Sequence, residues 1–247
     1  MLVSTSASGD GPKWSHNNIE EWDNLPDAVC GLGQVQSPID FNTSADWPAA
    51  EESLVISYPN TVPVMVSNNH HGSPQLNLPE GEAYVSLDGE KFQLVQIHFH
   101  SPSEETFNGV APDFDAHLVH QNPETKQLLV IGITFNKGDA DSPVLGIALE
   151  NDPTAESEIE VPVTGVPLAS FVPDASMYTF NGSLTTPPCT EGVIWFVSSE
   201  ISSASSAQIA ALKAVGQTQG LENGNARPTQ PLNGRSIMTI TPVKSAV

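Results

Sequence analysis

Basic residues are scarce in this chain. Eight Lys and Arg side chains, two of them Arg, stand against 29 Asp and Glu in 247 residues, a formal net charge of −21. Such a balance repels nucleic-acid phosphates and anionic lipid headgroups, which argues against nucleic acid as a partner. The acidic residues form no terminal tail. They recur at Glu20–Glu21–Asp23, Glu51–Glu52, Asp139–Asp141 and Glu156–Glu160, so the whole surface is acidic. Self-repulsion of that kind is relieved by salt, and it fits either a saline habitat with halotolerance or the ordinary acidity of many secreted proteins. Long apolar runs are also missing: none approaches the roughly 18 residues of a helical membrane span. Residues Met1–Asp10 have neither the basic start nor the apolar stretch of a signal peptide, so either none exists or a processed mature chain has gained a new Met. Cysteine occurs twice, at Cys30 and Cys189. A bridge between them would close a long loop and contribute roughly 4–5 kcal/mol in the chain-entropy model. Two free buried thiols are the other reading.

No internal repeat or low-complexity linker interrupts the chain, and Gly and Pro punctuate many short segments. One strand-rich domain over residues 1–247 is expected, with residues 1–10 flexible. Alternating or apolar segments predict strands at Leu54–Tyr58, Val62–Ser67, Ala83–Leu87, Lys91–His100, Ala116–Gln121, Leu128–Asn136, Gly192–Ser198 and Ile237–Ile240. Helix signals are few. Ser205–Ala214 is Ala-rich, opens on Ser and ends near Gly216, and Pro143–Glu150 has Ser142 as a candidate cap with Pro143 at the first helical position.

The period of two along a strand puts Gln96, His98 and His100 on one face. On the strand around Ala116, Asp115, His117 and Val119 share a face and His120 points to the other. If these strands are neighbours, His117 completes a site of three imidazoles. Three neutral imidazoles suit zinc, and a fourth position left to water marks a catalytic site, at which the water's pKa falls to about 7. A His-X-His pair alone is equally a core or surface feature, and Gln96 and Asp115 are either partners of the ring N–H groups or ordinary polar residues.

The runs Gln96-Ile-His-Phe-His-Ser-Pro-Ser-Glu104, Ala116-His-Leu-Val-His120 and Gly182-Ser-Leu-Thr-Thr-Pro-Pro188 resemble the α-class carbonic anhydrases, especially bacterial and algal members. Gln36-Ser-Pro-Ile-Asp40 and Arg227-Pro-Thr-Gln-Pro-Leu-Asn-Gly-Arg235 extend the resemblance over nearly the whole chain in family order. It implies a mixed, β-dominated fold, with a central, mostly antiparallel twisted sheet and a few short peripheral helices. The implied reaction is reversible hydration of carbon dioxide to bicarbonate and a proton by zinc-bound hydroxide, with esterase activity on the side.

The resemblance also assigns roles. His98, His100 and His117 match the zinc ligands. Gln96 would orient the first, the backbone near Asn225 the second, and Asp115, where the family usually has Glu, the third. Thr185 matches the gatekeeper hydroxyl that donates to Glu104. Val119, Val130, Leu184, Val193 and Trp195 match the apolar wall for carbon dioxide, with Thr186 beside it. By themselves these residues read as a turn, a surface acid and core packing. His71 falls at the proton-shuttle position, and a one-residue slip would give that role to His70.

Glu105 stands where the family often has His, a change expected to affect packing more than chemistry, and His16 stands where it commonly has Tyr, near the proton path. Cys30 and Cys189 match a disulfide pair of many bacterial and secreted members, which implies a secreted, periplasmic or otherwise extracytoplasmic location. Sulfonamides and anions are expected inhibitors, and a homodimer is compatible with bacterial relatives. A non-catalytic binding domain of the same fold would lack a zinc ligand, a dedicated zinc hydrolase would need an ester-recognition element, and a structural zinc site would need a fourth protein ligand.

Overall fold

The structure, a computed structural model, describes residues 14–153 and 159–245. The segment 1–10, expected to be flexible, lies outside them. A mixed 13-stranded sheet dominates, with its main path in the order Val161–Val166, Val62–Asn68, Pro74–Asn77, Glu90–His100, Phe114–Gln121, Leu128–Gly138, Glu191–Ser198, Met177–Ser183 and Met238–Ile240. Pairing along this path is antiparallel except where Glu191–Ser198 runs parallel to Leu128–Gly138. Ser202–Ser205 also joins Leu128–Gly138 in parallel, and Val243–Lys244 joins Leu54–Ser57 in the same sense.

The three central strands, Glu90–His100, Phe114–Gln121 and Leu128–Gly138, separate two apolar layers. Ile97, Phe99, Ala116, Leu118, Ile131 and Ile133 point into the larger core. All are at most 1% exposed, and each large side chain among them contributes about 1.5–3 kcal/mol by leaving water. On the other face, Val119, Val130, Val193 and Trp195 join a second cluster with Phe41, Tyr178 and Phe180. A register shift between Leu94 and Gln96 sets which residues face which layer. The extra residue reverses the alternation, so Leu94 faces the larger core with Ile97, while Gln96, His98 and His100 turn to the opposite side. His120 points away from those histidines, as the alternation predicts, and its Nε2 meets the Tyr58 hydroxyl at 2.5 Å.

Both expected helices form. Ser205 caps Ser206–Thr218 by accepting from the Gln208 N–H, and the helix runs past Gly216. Pro143–Glu150 has Pro at its start, but the Ser142 side chain makes no cap bond. Instead, the Ser142 backbone exchanges hydrogen bonds of 2.7 and 2.9 Å with the Gln208 side chain, which ties the two helices together. A 3-10 segment, His16–Asn24, opens on a reciprocal capping pair of Ser15 and Asn18.

Candidate metal centre

Adjacent antiparallel strands bring His98 directly opposite His117, and His100 opposite Asp115. One ring nitrogen from each of His98, His100 and His117 lies within 4.8 Å of the other two. The remaining nitrogens are already fixed. His98 Nδ1 lies 2.7 Å from Gln96 Oε1, His100 Nδ1 lies 2.9 Å from Asp115 Oδ1, and His117 Nε2 lies 3.2 Å from Glu105 Oε2. Each acceptor selects a tautomer that leaves Nε2 of His98 and His100, and Nδ1 of His117, as lone-pair donors. Three imidazole nitrogens converging in this way suit zinc, which would take the place of the second proton on His117. Glu105, Asp115 and His117 form a second tight group. Both Asp115 oxygens and Glu105 Oε2 are already engaged with imidazoles, the Ser103 hydroxyl and the Glu104 N–H, while Glu105 Oε1 has no hydrogen-bond partner among the described residues.

Burial pushes the His98 pKa well below the usual value, helped by His100 and His117, and so keeps the ring neutral. Burial also opposes charge on His117, but Asp115, Glu105 and Glu104 outweigh it and lift its pKa to about 10. Burial raises Glu105 to about 6 against the pull of His117. Burial works the same way on Asp115, where the His117 and His100 charges and its hydrogen bonds prevail and lower it. His117, His100, Asp115 and Glu105 therefore form a charge-compensated cluster in which carboxylates and imidazoles stabilise one another, whereas His98 stays outside it as a neutral ring.

Two roles differ from those the resemblance implies. Asp115 holds His100, not His117: its Oδ2 stops 3.7 Å from His117 Nε2 and instead accepts from Glu104 N at 2.6 Å and Ser103 Oγ at 3.1 Å. The shorter side chain cannot bridge that gap, and Glu105 fills the role at His117. Nor does the backbone near Asn225 receive the His100 ring. The Asn225 side chain clamps the strand end, donating to Phe99 O at 3.1 Å and His71 O at 3.0 Å, and accepting from Ser101 N at 2.9 Å. Its loop packs so tightly here that a Cβ on Gly224, at φ +89°, would lie 1.9 Å from the Ser101 carbonyl oxygen.

Glu104 is buried and fixed by the Arg227 backbone N–H, 2.9 Å from Oε1. Its Oε2 has no hydrogen-bond partner among the described residues, and the buried Thr185 side chain on the Gly182–Pro188 run makes no bond to it. Arg227 also joins the early and late motifs. Its guanidinium donates to Gln36 Oε1, Ser37 O and Cys30 O at 2.7–3.0 Å.

Val119, Val130, Leu184, Val193 and Trp195 gather in one apolar cluster beside the histidines, and the Trp195 ring meets His117 edge-on at 4.9 Å. Thr186 accepts the Cys189 N–H on the adjoining turn. His71 stacks on Trp14 at 4.0 Å, and burial, with the charge of His70, lowers its pKa to about 4. His70 is exposed, with φ 59°. His16 lies 6.3 Å from His71, ring to ring, and neither of its buried nitrogens has a partner among the described residues. Burial first, then His100 and His71, lower the His16 pKa to about 3. Cys30 and Cys189 are joined in a disulfide, packed against Trp22.

The eukaryotic-type carbonic anhydrase family profile matches residues 17–241. A carbonic anhydrase of Pectobacterium carotovorum is 34% identical over 96% of this chain and 96% of its own length. Among solved structures, the α-carbonic anhydrase of Thermovibrio ammonificans in complex with the inhibitor sulfanilamide has a TM-score of 0.81 and 32% identity, covering 93% of this chain and 100% of that one. Carbonic anhydrase Cah3 of Chlamydomonas reinhardtii, in complex with acetazolamide, has a TM-score of 0.78 and 31% identity, covering 94% and 99%.

Proposed function

The chain belongs to the α-class carbonic anhydrases, enzymes of carbon dioxide hydration, and on that premise we propose that it is a zinc enzyme whose metal is held by His98, His100 and His117. The convergence of three imidazole nitrogens, each ring fixed from behind by Gln96, Asp115 or Glu105, carries this proposal. Zinc, when bound, supplies a Lewis acid that lowers the pKa of water to about 7.

The protein supplies the rest. Val119, Val130, Leu184, Val193 and Trp195 give carbon dioxide a dry wall against the imidazoles, which suits a small substrate without charge. Thr186 borders this wall. Glu104, immobilised through Oε1, keeps Oε2 free for the Thr185 hydroxyl. A Thr185 hydroxyl turned to donate to Glu104 would be left to accept from the attacking oxygen and aim its lone pair toward carbon dioxide. The released proton leaves past His16 and His71, with His71 held in place by Trp14 and exposed His70 as the alternative relay to buffer.

The same site would cleave activated esters slowly and take sulfonamides and small anions as inhibitors. The disulfide suits an oxidising, extracytoplasmic compartment, the acidic surface suits salt tolerance, and a homodimer is the proposed assembly if the chain associates. The metal assignment is tested by His117→Ala, expected to lose bound zinc after dialysis as read by elemental analysis. Full metal content in that variant would overturn the assignment.

A further inference from the structure

Two carboxylates sit behind the candidate ligands, and each takes a different ring. Glu105 and Asp115 are both fully buried, next to the equally buried Glu104. An unpaired carboxylate in such a place costs several kcal/mol, so the group needs cationic counterparts. The guanidinium of Arg227 is occupied by Gln36, Ser37 and Cys30. Its charge still acts on Glu104, and the counterparts of Asp115 and Glu105 are the imidazoles of His100 and His117.

The hydrogen bonds divide the work. Ser103 Oγ and Glu104 N both donate to Asp115 Oδ2, which swings Oδ1 toward His100 Nδ1 at 2.9 Å. Glu105 reaches over Gly132, the cross-strand partner of His117, and places Oε2 3.2 Å from His117 Nε2. Ser103 Oγ lies 2.9 Å from the Glu105 backbone carbonyl as well, so its single proton is shared between the Glu105 main chain and Asp115.

We propose that Glu105 and Asp115 are a divided pair of positioning residues. Glu105 turns His117 so that Nδ1 faces the metal, and Asp115 turns His100 so that Nε2 does. Two of the three ligands are thus backed by carboxylates, and His98 by the neutral amide of Gln96. The extra methylene at 105 offsets the missing one at 115, so the two departures from the family pattern form a single exchange. This inference rests on the zinc assignment proposed above.

The test is nitrogen-edited NMR of the full, zinc-loaded chain with labelled histidine, together with the rate of zinc loss to a chelator. His117 is expected to carry its proton on Nε2, and His98 and His100 on Nδ1. Magnetisation should pass from the His117 N–H to the Glu105 side chain, a result that needs no substitution. Glu105→Gln should shift the His117 N–H and leave that of His100, Asp115→Asn should do the reverse, and each should speed zinc loss about 10–100-fold. A His117 N–H that responds to Asp115→Asn but not to Glu105→Gln, or unchanged zinc loss in both variants, would overturn the division of roles. An unsubstituted chain that binds no zinc would overturn the metal assignment and this inference together, whereas tight zinc with the other proton pattern would overturn this inference alone.

Discussion

Opening the Cys30–Cys189 bridge should destabilise the enzyme about as much as the costliest single core truncations. The bridged residues are 159 apart in sequence, and releasing a loop of that length returns about 5 kcal/mol of conformational freedom to the unfolded chain in the chain-entropy model. For a domain of this size each kcal/mol moves the melting temperature by about 2–4 °C, so the expected fall is about 10–20 °C. Both sulfurs are buried against Trp22, so reductant will act slowly on the native state, and Cys30→Ala/Cys189→Ala is the cleaner perturbation. Reduction should also loosen the turn carrying Thr185, which is tied to the early segment by Val29 N donating to Pro188 O at 2.9 Å and Gln36 Nε2 donating to Cys189 O at 3.0 Å. Calorimetry of the double variant against the unsubstituted chain, with activity followed near the lower melting point, reads both effects. A fall under about 3 °C would refute the reasoning, since the loop-closure term would then be absent or cancelled.

Acid should unfold the protein earlier than its carboxylates alone would require. Burial holds His16 and His120 at about 3 and His71 at about 4 in the folded chain, against an ordinary value of 6.5. Unfolding therefore takes up protons at these histidines below pH 6.5, each contributing up to about 1.4 kcal/mol per pH unit. Glu105 and Asp152, whose values raised to about 6 make the folded chain bind protons first, partly offset this. Stability present above pH 6.5 should therefore fall by a net of about 1–2 kcal/mol per pH unit on the way to pH 4. Denaturant midpoints measured from pH 7 to 4 check this, and a flat profile would contradict it. His71→Ala should slow turnover in weak buffer and be rescued by added imidazole, whereas unchanged turnover would point to His70 or to neither. Raising sodium chloride from about 0.1 to 1 M shortens the screening length from about 10 to 3 Å, so the melting temperature and refolding yield should both rise. No response to salt would mean that the charge of −21 is too dispersed to matter.

Much of this molecule is legible in its residues because two physical signals are strong. Alternation identifies the central strands, and the placement of His98, His100 and His117 on one face follows from it. Weaker signals hide the remainder. Pro74–Asn77 is four residues long, and Val161–Val166 carries a Pro and a Gly that read as breakers, though on an outer strand of the main path they are tolerated. Met177–Ser183 contains Asn181-Gly182 just before its end, a pair that looks like a turn. Gly182 is there because a Cβ would lie 2.1 Å from Ser37 Oγ and 2.8 Å from Trp195 Cδ1. The role of Glu105 is hidden for another reason. Position and polarity can mark a carboxylate as a candidate partner, but which of three imidazoles it meets depends on side-chain reach across the sheet, as the 3.2 Å and 3.7 Å distances from Glu105 and Asp115 to His117 illustrate. Two adjacent acids before a strand that carries His-Leu-Val-His were the available clue.

Stopped-flow carbon dioxide hydration by the purified chain, before and after zinc chelation and again after zinc is restored, bears most directly on the central claim. Fast hydration that disappears with the metal and returns with it is the predicted result. A chain that binds zinc through these histidines yet hydrates carbon dioxide no faster than buffer would contradict it.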